Sequence, residues 1–85
     1  MKLNEQNFSE RLNKLEWPAI FPFKFIVPID QLDELLVHFQ LQETTIRLSR
    51  NGNYASLSAY PFLLNPNKVF EKYKQVSKIK GLISL

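Results

Sequence analysis

Thr44-Thr45-Ile46-Arg47-Leu48-Ser49-Arg50-Asn51-Gly52-Asn53-Tyr54-Ala55-Ser56-Leu57-Ser58-Ala59 holds two alternating runs that meet at Asn51-Gly52. A two-residue Asn-Gly loop is the strongest short-range hairpin signal, because a type I′ turn needs positive φ at both central residues. That loop sets Leu48 opposite Ala55, Ile46 opposite Leu57 and Thr44 opposite Ala59 on one face. On the other face Ser49 meets Tyr54, Arg47 meets Ser56 and Thr45 meets Ser58. One face is apolar and the other polar, and a slip of one residue would destroy the match. The stretch predicts a sheet with one buried face and carries no catalytic signature.

Upstream, residues 23–27 read as a strand with Phe23, Phe25 and Val27 on one side and Lys24 and Ile26 on the other. Pro22 and Pro28 bracket it, since proline cannot donate to a central ladder. A helix follows, with Asp30 as N-cap, Asp33 in its first turn, and Leu32, Leu35, Leu36 and Phe39 as its stripe. Downstream, Asn65 caps a second helix with Pro66 at its first position, where a missing N–H costs nothing. Leu64 and Val69 are spaced for a hydrophobic staple, and Val69, Phe70, Tyr73 and Val76 form the buried stripe. Gly81 precedes a last short strand over residues 82–85. At the other end, Asn7 and Glu10 are spaced as a capping box, with Phe8, Leu12 and Leu15 on one helical face and Pro18 as the stop.

Right-handed crossovers turn this order into an α+β fold, a ferredoxin-like βαββαβ plait. The expectation is a four-stranded antiparallel sheet, order 4-1-3-2, with two helices on one face. Residues 1–17 form an N-terminal helical extension and residues 18–85 the ferredoxin-like domain. The helix-side core is Phe23, Phe25, Val27, Ile46, Leu48, Ala55, Leu57 and Ala59. The second and fourth strands are edges, and the fourth is a candidate dimer edge because nothing after Leu85 covers it.

The 85 residues suit one small domain, and 45% hydrophobic content argues against disorder. No cysteine is present, which excludes disulfides and thiolate metal sites and fits a cytoplasmic protein. Residues 1–7 lack the apolar core of a signal peptide. The greasiest stretch, residues 17–29, is broken by Pro18, Pro22, Lys24 and Pro28 and is too short to span a bilayer. Net charge is +3. The excess lies after residue 43, in Arg47, Arg50, Lys68, Lys72, Lys74, Lys78 and Lys80, which raises the prospect of an acidic partner or a solvated lysine face.

Leu15-Glu16-Trp17-Pro18 with Phe21, then Phe23-Lys24, then Ser49 through Tyr54 with Ser56 and Ser58, resemble the YbeD-like family of small bacterial proteins. The likeness covers residues 14–85. It implies a ferredoxin-like plait similar in shape to amino-acid-sensing ACT domains, without an established activity. Some members are labelled lipoate regulatory proteins.

Chemistry is sparse. His38 is the only histidine, and Glu34 one turn before it makes two ligands, short of a zinc site. A Ser–His nucleophile would need Ser56 or Ser58 near His38, but those serines project from the opposite sheet face. Gly52 and Gly81 are the only glycines, too few for a phosphate cradle. The expectation is therefore a non-enzymatic binding or regulatory protein with no catalytic residue, metal or cofactor.

Its binding surface is the open sheet face, with Lys24, Arg47, Tyr54, Ser56, Ser58 and Tyr60. The expected partners are another protein, a second copy of the chain, or a small anionic ligand. Tyrosines beside cations are also the equipment of RNA-recognition motifs, but serines stand here at the stacking positions. The alternative is nucleic-acid binding through the basic second helix, by Lys68, Lys72, Lys74 and Lys78.

Overall fold

The computed structural model describes residues 15–85. The helix expected from Asn7 lies outside the described residues, and residues 15–17, which would be its end, are not helical. In chain order the elements are β1 (Ala19–Ile20), β2 (Phe23–Pro28), a 3-10 turn (Ile29–Gln31), α1 (Leu32–Val37), β3 (Thr44–Leu48), β4 (Tyr54–Ala59), β5 (Phe62–Leu63), α2 (Pro66–Val76) and β6 (Ile83–Ser84). The fold is α+β, with antiparallel sheets and two α-helices among the described residues. The main sheet runs β3-β4-β2-β6, and β1 pairs with β5 in a separate two-stranded ribbon.

That ribbon is an addition to the expected four strands. Pro61 has no N–H, so the β2–β4 ladder is interrupted there, but its carbonyl accepts from Phe21 N–H at 3.0 Å in the same register. The two segments then pair, Ala19 with Leu63 and Ile20 with Phe62. Two residues per strand are too few to show an alternation in sequence.

The hairpin has the register its alternation demands, Leu48 opposite Ala55, Arg47 opposite Ser56 and Thr45 opposite Ser58. Its turn is different. Gly52 has φ +75°, but no non-glycine residue among those described has positive φ, so Asn51 is not in a type I′ geometry. The ladder closes at Ser49 N–H to the Tyr54 carbonyl, and Gly52 N–H returns to the Ser49 carbonyl, a four-residue loop. Asn51 Oδ1 accepts from Ser49 Oγ and Asn53 N–H at 3.0 and 3.1 Å. An asparagine locked in this way does not adopt the left-handed conformation, and a loop built around a type I turn results. Two-residue and four-residue loops centred on one bond impose the same register, so the strands are unaffected.

The helices differ in how they start. Asn65 Oδ1 accepts from Lys68 N–H at 3.3 Å with Pro66 at N1, as expected. Asp30 does not cap α1: it lies inside the 3-10 turn, and Gln31 occupies the cap position without a side-chain bond. Pro28, still in β2, has extended backbone, and the tight turn forms immediately after it.

Both helices cover one face of the main sheet. Phe23, Phe25, Val27, Ala55, Leu57 and Ala59 are buried there with Leu35, Phe39, Val69, Tyr73 and Val76. An aromatic cluster ties the layers together: Tyr73 lies 5.3 Å from Phe23 and 5.7 Å from Phe25, and Phe39 lies 5.7 Å from Phe23. Each edge-to-face pair contributes roughly 0.5–1.5 kcal/mol beyond its buried area. Leu48 is a correction. It is 63% exposed, and Ile46 is only partly buried. β3 is an edge strand, and α1, only six residues long, does not extend over its hairpin end.

Candidate functional site

The registers of the three strand pairs place the outward side chains in rungs. Thr45 stands beside Ser58, and Ser58 beside Lys24. In the next rung Arg47 meets Ser56, Ser56 meets Ile26, and Ile26 meets Ile83 of β6. Leu85 N–H donates to the Lys24 carbonyl at 2.9 Å and so extends the first rung. Tyr54 is opposite Pro28 in the third.

Lys24 and Arg47 are exposed, and no ion pair among the described residues engages either one. They sit diagonally, two strand spacings or about 10 Å apart across the sheet, with Ser56 and Ser58 between them. Long flexible cations over a row of short hydroxyls form a surface with unused donors. Such a surface can hold an anionic oxygen group through charge-assisted hydrogen bonds.

Four of the six residues singled out on this face are therefore brought together: Lys24, Arg47, Ser56 and Ser58. The tyrosines are not. Tyr54 and Tyr60 lie at opposite ends of β4, about 20 Å apart along the strand. Tyr60 is past the end of the ladder and lines a shallow cleft of about 390 Å³ with Leu41, Gln42, Glu43, Pro61 and Phe62. Tyrosines so separated do not make a base-stacking platform.

The basic second helix is divided too. Lys68 pairs with Glu71 at 3.6 Å. The Lys72 ammonium donates to the His38 carbonyl and stands 4.9 Å from the Phe39 ring centroid. Burial lowers its pKa from the ordinary 10.5. Lys74 and Lys78 alone of the four project freely into solvent. His38 closes the C-terminal end of α1, with the sheet between it and Ser56 and Ser58. Among the described residues no three His, Cys, Asp or Glu side chains cluster as metal ligands. No helix among them is long and apolar enough to cross a membrane.

Sequence reasoning missed the apolar border of the open face. Ile83 and Leu85 are exposed beside Ile26 and Lys24. The signal was present in residues 82–85, but which side of that strand faces outward depends on its register against β2. Comparison with known proteins found no counterpart: no family model, curated protein or solved structure matches the chain.

Proposed function

We propose that this chain is a cytoplasmic, non-enzymatic binding domain whose open sheet face receives an anionic group, presented by a protein partner or a small ligand. The proposal takes the main sheet and its two helices as a ferredoxin-like βαββαβ plait related to YbeD-like proteins. The six-residue ladder between β2 and β4 and the burial of one sheet face support that architecture.

One observation carries the functional reading. Lys24 and Arg47, exposed and without an ion pair among the described residues, flank Thr45, Ser56 and Ser58 on the face away from both helices. Cations positioned beside hydroxyls attract carboxylate or phosphate oxygens, and the half-buried Ile26 beside Ile83 adds apolar contact at the border. The nucleic-acid reading draws less support, since Lys68 is paired and Lys72 is turned toward α1.

The test is an amide NMR titration of the full chain with inorganic phosphate, citrate and a short polyglutamate peptide. The expected shifts centre on residues 24, 45, 47, 56 and 58 and vanish in the Lys24→Ala/Arg47→Ala double variant. Shifts centred instead on Lys74 and Lys78, with single-stranded DNA the better titrant, would favour the alternative. Silence at the open face with all three anionic probes would overturn the proposal.

A further inference from the structure

We infer that the anionic group received by the open face belongs to an extended peptide segment. At every second residue that segment carries an acidic, a basic and an apolar side chain, in that order. The inference rests on the reading of Lys24 and Arg47 given above and names their partner. The open face does not end at Ser58. Ile20 pairs with Phe62 in the register that pairs Lys24 with Ser58, so the ribbon continues the sheet past Pro22 and Pro61. With a period of two, Tyr60 and Phe62 belong to the same side as Ser56 and Ser58. Glu43 stands two residues before Thr45, and it lines one cleft with Leu41, Tyr60 and Phe62.

Three zones of different chemistry therefore follow one another in steps of about 7 Å, the two-residue repeat of a strand. The first holds the cations, with Lys24 beside Ser58 and Arg47 beside Ser56. The second holds Glu43 and Tyr60, both exposed, and no ion pair among the described residues engages Glu43. The third is apolar: Leu41, Ile20 and Phe62 are 96%, 65% and 64% exposed.

The order of charge selects the occupant. An acidic side chain is drawn to Lys24 and Arg47 and repelled by Glu43 one step on. A basic side chain at that step meets the Glu43 carboxylate and the Tyr60 ring together. Single-stranded nucleic acid would have to lay its phosphates past Glu43, and an acyl chain would have to cross the same carboxylate to reach Ile20 and Phe62. A peptide changes chemistry from one side chain to the next. In an extended chain, side chains i, i+2 and i+4 point one way at the spacing of the three zones, because both repeats are strand geometry.

An amide NMR titration of the full chain at low ionic strength tests this, with the acetylated and amidated peptide Ser-Glu-Ser-Arg-Ser-Leu-Ser. Its shifts should run from residues 24, 47 and 58 on to residues 20, 41, 43, 60 and 62. The peptide of the same composition with its Glu and Arg exchanged should bind about fivefold more weakly. Serine in place of the leucine should cost about threefold. Glu43→Arg, at an exposed position, should cut the preference between the first two peptides to about twofold or less without changing the circular dichroism spectrum. Equal binding of those two peptides to the wild type overturns the inference, as does a Glu43→Arg variant that keeps the full preference. Octanoate or single-stranded DNA that shifts residues 20, 60 and 62 more than the peptide does overturns it in favour of that ligand. No shift at about 5 mM peptide overturns it too, since a matched site binds more tightly than that. In each of these cases, citrate and polyglutamate shifts at residues 24, 47 and 58 would leave the anionic reading of the face standing, and their absence would remove both.

Discussion

The Lys72 ammonium donates to the main-chain carbonyl of His38, the C-cap of α1, and lies over the face of the Phe39 ring. The end of a helix presents carbonyls without intrahelical partners and the negative pole of its dipole. A lysine from α2 supplies both the missing donor and the complementary charge, and the neighbouring ring adds a cation–π contact. One side chain thus joins the two helices across the top of the core.

Lys72→Ala should therefore destabilise the domain by about 1–2 kcal/mol. Lys74→Ala and Lys78→Ala, on solvent-facing positions, should stay within about 0.5 kcal/mol of the wild type. Urea unfolding of the three variants measures the contrast. Equal effects would mean that Lys72 is an ordinary surface lysine.

Tyr73 predicts an alkaline limb. Burial raises its phenol above the ordinary 10.0, partly opposed by a hydrogen bond with the Ser84 side chain. The folded state holds that proton more tightly than the unfolded chain, so the stabilisation is full below about pH 10 and is lost as pH climbs through the folded value. Lys72 has the opposite sign: burial lowers its pKa, so the desolvation cost of its ammonium is full at neutral pH and is relieved as pH rises toward 10.5. Tyr73→Phe should flatten the drop in urea midpoint between about pH 8 and 11, whereas Lys72→Met should steepen it. An unchanged alkaline limb in Tyr73→Phe would contradict the assignment.

The two glycines separate conformational strain from collision. Gly52 and Gly81 both have positive φ, +75° and +78°, but an added Cβ meets nothing within 4 Å at Gly52 and stands 2.8 Å from Pro28 Cγ at Gly81. Gly52→Ala should cost about 1–2 kcal/mol, the left-handed penalty alone. Gly81→Ala should cost more, because Pro28 is held in β2 and its ring cannot retreat freely. Thermal melts of both variants give the difference directly, and equal losses would show that the β2–β6 junction yields.

Leu48 and Leu57 test the boundary of the core. Leu57→Ala, at a fully buried position, should cost about 2–5 kcal/mol, but Leu48→Ala, mostly in solvent, less than about 1 kcal/mol. A large loss at Leu48 would mean that the helices reach the hairpin end.

Alternation and capping chemistry made much of this legible in the chain itself. The register from Thr44 to Ala59 follows from which residues must share the buried face, and it holds for either loop length. Asn65-Pro66 starts α2 by local hydrogen bonding, without reference to the rest of the molecule. Lys24, Arg47, Ser56 and Ser58 could be placed on one face because a strand's period of two needs only neighbours along the chain.

Other features depended on contacts between segments far apart in sequence. Ala19–Ile20 and Phe62–Leu63 are too short to show a strand pattern, and their ribbon continues the β2–β4 register past Pro22 and Pro61. Lys72 looked like a surface cation until the fold set the end of α1 beside it. Leu48 has the same pattern position as Leu57, but the short α1 leaves the edge strand partly uncovered. Periodicity orders side chains along one segment. Which of them finds a partner depends on how the segments are stacked, and that is a property of the folded chain alone.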